Sequence, residues 1–344
     1  MKPVLAFTQG ANHPSGRMRI AVYTKHLAAR GWQLQMHHFA AGMGKSLPPT
    51  APWWQRLGRR LDRNWQSGRA RRALRQIPPD QAVIISRELP VRRHPFLNAP
   101  NPMVLDIDDA LYLGGGRDRL IELCERAQVV VCGNQTIADA LEACSRRCVV
   151  IPTVVDTDQY TVRADYRVAG RLRVGWLGSS MSADETLLPW LQRIGEAWRK
   201  SAFELVVISD ECPLAIRGGE GMRFLKWSAE LEYSIADHID VGVMPLQNNA
   251  YQAAKCGAKV LQYMAAGLPV VASPLGVNCE IIIPGVTGFL ADDTNSWIES
   301  LRMLAEQETL RRSMGQAGRE RVVEHYSVAR WAGPWASLLD EISA

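Results

Sequence analysis

Lys255 and Lys259 bracket a Cys-Gly pair in AKCGAKVLQYMAAGLPVVAS, residues 254–273. Only seven of the 40 basic residues are lysines, so two of them four positions apart concentrate compact cations in one place. From Val260 onward the apolar residues Val260, Leu261, Met264 and Ala265 keep the i, i+1, i+4, i+5 spacing of one helical face, which predicts a helix beginning near Lys259. The first amides of a helix lack intrahelical partners and carry partial positive charge, and Gly257 allows close backbone approach. Together these groups suit a phosphate. Without an anion the two lysines are solvated first-turn cations that oppose the helix dipole, at a cost of roughly 0.3 kcal/mol each.

A second constellation is MVLDIDDALYL, which sets Asp106, Asp108 and Asp109 at the end of an apolar run. Three carboxylates within four residues repel unless a cation, a proton or an arginine stabilises them. Hard divalent metals are one answer. Ion pairing with Arg87 of the SRELP segment, or positioning of an acceptor, is the preferred one. Ser15 and Gly16 read as a turn into a helix whose first turn holds Arg17 and Arg19; a solvated helix start explains the same residues. His13, His37, His38 and His94 show no metal-ligand spacing, and as isolated histidines they are read as structural.

These groups must be positioned by a scaffold, and its elements are visible. Short β-branched runs recur at 3–8, 34–39, 82–86, 103–108, 129–133 and 148–152, and a second series follows at 172–178, 203–209, 222–227, 241–246, 268–273 and 287–291. Apolar runs without alternation suit parallel strands covered on both faces. Two such series in 344 residues imply two doubly wound α/β domains, with ligands beyond the carboxyl ends of the strands. The aperiodic stretch 153–171 is the expected seam, and 327–343, with Trp331 and Trp335 four apart, reads as a terminal helix that packs elsewhere.

The formal net charge of +5 is modest, so anion attraction must be local, and no zinc-finger or RNA-binding motif points to nucleic acid. Seven cysteines without a C-x-x-C pair fit a reduced, cytoplasmic compartment. The N-terminus is too briefly apolar for a signal peptide, and no apolar run is long enough to span a bilayer.

AKCGAKVLQYMAAGLPVVASPLGVNCEII resembles the donor-binding segment of glycosyltransferase family 4, the retaining GT-B enzymes, and in particular members with a K-C-G-x-K loop. The resemblance extends through 284–327 and back to DIDDALYL, VVVCGNQTIADAL, VIPTVVD, VGWLGSS and DVGVMPL. It implies a GT-B fold: a Rossmann-like acceptor domain over 1–160, a Rossmann-like donor domain over 161–326, an interdomain cleft, and a terminal helix over 327–344 that returns to the first domain. It implies transfer of a sugar from a nucleotide-diphosphate sugar to a glycan or lipid-linked acceptor with retention, in surface polysaccharide or lipopolysaccharide assembly, without a metal or other cofactor. Lys255, Lys259, Arg87 and Asp108 are the implied catalytic set. Gly16, Arg17, Gly178, Ser179, Ser180, Trp227, Gly257 and Gln262 are implied on the donor side, and Asp106, Asp109 and Asn134 on the acceptor side.

Two departures qualify the likeness. Where relatives carry two acids eight positions apart, this chain has Ala254 and Gln262; where many offer an Arg and a Lys to the diphosphate, it has Gly178, Ser179 and Ser180. The loop lysines are expected to compensate. A non-catalytic binding subunit and a nucleotide-sugar epimerase are the alternative functions.

One segment is left over. Residues 52–79 hold Arg56, Arg59, Arg60, Arg63, Arg69, Arg71, Arg72 and Arg75 against one acid, Asp62, while Trp54, Leu57, Leu61 and Trp65 share a helical face. Within it, 53–77 lies on an anionic membrane, at the inner face of the cell membrane, or buries its Trp/Leu stripe against the sheet as an ordinary helix. The sequence leaves both readings open.

Overall fold

The computed structural model describes residues 1–39, 52–87 and 95–343; His94 lies outside them. The first series of apolar runs forms β1 (Lys2–Thr8), β2 (Trp32–His38), β3 (Val83–Ser86), β4 (Met103–Ile107), β5 (Val129–Cys132) and β6 (Cys148–Val150). The second forms β7 (Leu172–Leu177), β8 (Phe203–Ser209), β9 (Met222–Lys226), β10 (Val241–Met244), β11 (Val270–Ala272) and β12 (Gly288–Leu290). Among the described residues each series makes one six-stranded sheet, in the orders β2-β1-β3-β4-β5-β6 and β12-β11-β10-β7-β8-β9, and the strands pair in parallel throughout. Helices between the strands cover the faces, giving two Rossmann-like α/β units.

Central strands such as β4 are buried along their whole length, as the unalternating runs require. The edge strands β2 and β9 differ. Only Trp32 and Leu34 of β2 are buried, and β9 is half-buried along most of its length, because an edge strand loses cover on one side.

Residues 1–153 and 331–344 form one compact unit, and residues 154–330 the other. The boundary at 153/154 falls at the start of the aperiodic stretch 153–171. Val155 bridges to Ser327, and Tyr160 stacks edge-on against Tyr233, so this stretch is tied into the second unit. The terminal helix Val328–Ile342 places Trp335 in the first unit, against Tyr23 at a centroid distance of 5.8 Å.

In the second unit, Asp240 pins β7 beside β10. Its carboxylate accepts from Arg163 Nη2 and Arg173 Nη2, each at 2.7 Å, and from the backbone N–H of Arg173 at 2.9 Å. Burial alone would raise its pKa, but the hydrogen bonds and charge of Arg173, with the charge of Arg163, outweigh it and hold the group below the usual range. A depressed carboxylate contributes stability that is whole above about pH 4, the unfolded value, and is lost as pH falls through the folded value. Asp240→Asn is therefore expected to flatten the acid limb of a Tm-against-pH curve.

The helix Ala258–Ala265 lies against this sheet through Tyr263. The Tyr263 hydroxyl accepts from Leu177 N at 2.8 Å and donates to Val243 O at 3.4 Å, which ties β7 and β10 to the helix. Its ring rests on Gly242, where an added Cβ would come 2.2 Å from Tyr263 Cγ. Gly242→Ala should therefore lower stability by about 3 kcal/mol, read as a drop in the urea midpoint with an unchanged slope.

Candidate functional site

In open parallel sheets, ligands collect where strand order reverses. For the second sheet that point lies between β7 and β10, the first strand of the unit and its neighbour on the other side. The helix Ala258–Ala265 begins there, entered through Gly257 in the left-handed region at φ 68°. A side chain at 257 would be strained in that conformation and would meet Ile281 Cδ1 at 2.4 Å, so the turn is built around glycine.

Lys259 reaches from the first turn of this helix to the loop after β7. Its Nζ donates to Ser182 Oγ at 3.2 Å and lies 5.1 Å from the Trp176 ring centroid. Gly178 makes the approach possible, because a Cβ there would come 2.5 Å from the Trp176 ring and 2.9 Å from Lys259 Cε. Ser179 caps the next turn by accepting from Ser182 N, and Ser180 donates its N–H to Asp210 Oδ1 at 2.6 Å. Burial opposes the ionised form of Asp210, but the bonds from Ser180 and Ser209 outweigh it and hold its pKa below the usual range. The result is an ammonium and a hydroxyl-lined loop brought together at one strand end.

Lys255 is placed differently. Its Nζ lies 5.0 Å from the Tyr251 ring centroid, a cation–π contact on the preceding short helix Ala250–Ala253. Among the remaining donor-side residues, Gln262 is buried in the helix, and Trp227, at the end of β9, donates from Nε1 to Glu232 Oε2 at 2.8 Å. Ala254 is fully buried.

The first sheet reverses order between β1 and β3, and a second polar cluster forms there. Arg87 follows β3 with φ 63°, a left-handed conformation that costs a non-glycine residue about 1–3 kcal/mol. Its Nη1 lies 3.3 Å from Asp108 Oδ1 and 2.8 Å from Asp109 Oδ2, and donates to Ser15 Oγ at 3.0 Å. Burial opposes ionisation of Asp108, but Arg87, Arg19 and Ser15 together hold its carboxyl below the usual range. His13 faces the same group. Burial and the charge of Arg87 lower its pKa against the pull of Asp108 and Asp109, which leaves a neutral imidazole near pH 7. Reading the histidines one by one missed this placement, since only the fold brings His13 to Arg87.

Asp106 is a framework residue, although it was expected on the acceptor side. It is fully buried, and its Oδ1 accepts from Arg19 Nη2 at 2.6 Å while Arg19 Nη1 donates to Ile151 O at 2.6 Å. Arg19 is likewise buried rather than solvated, on the helical turn Gly16–Ile20, which also holds Gly16 and the half-buried Arg17. Asn134 caps the helix Gln135–Leu141 by accepting from Ile137 N at 2.9 Å.

Residues 171–307 match the family model "Glycosyl transferases group 1". The matched region contains β7 to β12, and with them the Lys259 loop and its helix. The whole chain is similar in fold to the sucrose-phosphate synthase of Thermosynechococcus elongatus, with a TM-score of 0.73, 15% identity and 99% coverage of both chains. Anabaena HepE in complex with UDP-glucose gives 0.69 and 16% over 99% of this chain and 100% of that one. A glycosyltransferase from Rickettsia africae gives 0.69 and 11% over 99% and 98%. No curated protein sequence matches the chain. At these identities the likeness to the solved structures is one of fold, the GT-B type that the resemblance implied.

Proposed function

We propose that the protein is a glycosyltransferase that moves a hexose from a nucleotide-diphosphate sugar to a glycan or lipid-linked acceptor, with retention at the anomeric carbon. The observation that carries this reading is Lys259, held by Trp176 and Ser182 at the strand-order reversal of a glycosyl transferases group 1 region. As the bond from the sugar C1 to the phosphate oxygen breaks, the leaving diphosphate gains charge, and a preorganised ammonium stabilises that charge more than it stabilises the substrate. In a front-face reaction the leaving phosphate oxygen accepts the proton of the acceptor hydroxyl as the new glycosidic bond forms. No protein nucleophile is then needed, and neither a metal nor another cofactor takes part.

The cluster of Arg87, Asp108, Asp109 and His13 serves the acceptor, since carboxylates and a neutral imidazole are suited to binding sugar hydroxyls. Surface polysaccharide or lipopolysaccharide assembly at the cytoplasmic face of a membrane is the setting. HepE has been solved with UDP and glucose and with UDP-glucose, so a uridine nucleotide is the first donor to try. The test is release of UDP from UDP-glucose and related UDP-sugars by the pure protein, with and without added glycan acceptors. Slow hydrolysis that speeds up with an acceptor supports transfer. Nucleotide-sugar binding with no turnover across the donor panel would make the protein a binding subunit, and conversion of the donor sugar without release would make it an epimerase.

A further inference from the structure

The helix Trp53–Arg75 is amphipathic in the reverse sense to an ordinary surface helix. Its buried positions, among the described residues, are Gln66, Ser67 and Ala70, which carry little apolar surface. At about 100° per residue, Trp53, Trp54, Leu57, Leu61 and Trp65 gather on the opposite side. All five are exposed, Trp53 by 75% and Leu61 by 60%. The alternative in which this stripe packs on the sheet is therefore not the one realised. Exposed stripes of this size mark a surface that meets something else.

We infer that this face docks on an anionic lipid surface. The same side of the helix continues past Gly68 as Arg71, Arg72 and Arg75, all exposed, so the apolar half is followed by a cationic half along one line. Arg56 and Arg60 flank the apolar half, and the helix holds a single acid, Asp62. Tryptophan and leucine enter the boundary between headgroups and acyl chains while the guanidinium groups meet lipid phosphates. Charge decides against a second copy of this chain, since a two-fold contact would set one arginine-rich face on another. No helix among the described residues is long and apolar enough to cross a membrane, so a docked helix would lie along the surface. The inference does not depend on the transfer chemistry.

The test is flotation of the full-length protein with phosphatidylcholine vesicles, with or without phosphatidylglycerol. The wild type is expected to float with the anionic vesicles, to stay behind with the neutral ones, and to be partly released by high salt. Leu57→Ser, Leu61→Ser and Trp65→Ser combined should weaken flotation by about tenfold or more, and Arg71→Glu, Arg72→Glu and Arg75→Glu combined should abolish the anionic preference. Because these side chains are exposed, both variants should keep the wild-type Tm, which separates loss of docking from loss of fold. Equal flotation of the serine variant, or no flotation of the wild type, would overturn the inference. So would sedimentation showing a dimer that the serine variant dissolves in the absence of vesicle binding.

Discussion

Lys259→Ala is expected to lower kcat by about 10²–10³-fold, the loss seen when one preorganised charge or donor is removed from a developing oxyanion. The side chain is not needed to hold the fold: it is half-buried, and the contacts that fix its helix run through Tyr263 and Gly242. Tm should accordingly stay close to wild type while turnover falls. Lys259→Arg keeps the charge but replaces a compact ammonium with a planar fork in a corner sized by Gly178, so it should recover only part of the activity. Lys255→Ala should lose less than Lys259→Ala, because the Lys255 ammonium rests on Tyr251. Steady-state kinetics on a nucleotide sugar check all three variants. Full activity in both alanine variants would reject the role of the lysines.

The largest expected effect on stability is at Arg19. Arg19→Met leaves the Asp106 carboxylate buried without its guanidinium, a change that costs about 3–5 kcal/mol. Burial already pushes the Asp106 pKa up to about 6 against the pull of Arg19, so without Arg19 the carboxyl rises further and takes up a proton to stay buried. The loss should appear as an earlier urea transition, since the pair is buried within the first unit. Arg19→Met combined with Asp106→Leu removes both charges and should recover most of the stability. If the double variant were as unstable as Arg19→Met alone, lost packing rather than an orphaned charge would be the cause.

The architecture was legible because the information is local. Twelve apolar runs gave twelve strands in two series, and the spacing of Val260, Leu261, Met264 and Ala265 placed a helix within one residue of its observed start at Ala258. Long-range pairing was not legible. Arg19 and Asp106 are 87 positions apart, and nothing near either says that one buries the other. The same limit hid the meeting of His13 with Arg87, and it made Lys255 and Lys259 look equivalent, although the fold turns one toward Tyr251 and the other toward Trp176 and Ser182. For the Trp/Leu stripe, periodicity identified the face but not whether it is buried; that depended on Gln66, Ser67 and Ala70 taking the buried side.

The most direct measurement is calorimetric titration of UDP, GDP, ADP, CMP and dTDP into the wild type and Lys259→Ala. If a diphosphate is held at the corner formed by Gly178, Ser182 and Lys259, one nucleoside diphosphate binds the wild type and loses about tenfold or more in the variant, while its parent nucleoside binds both alike. Equal diphosphate affinity in the two proteins, or no binding of any of the five, would contradict the account.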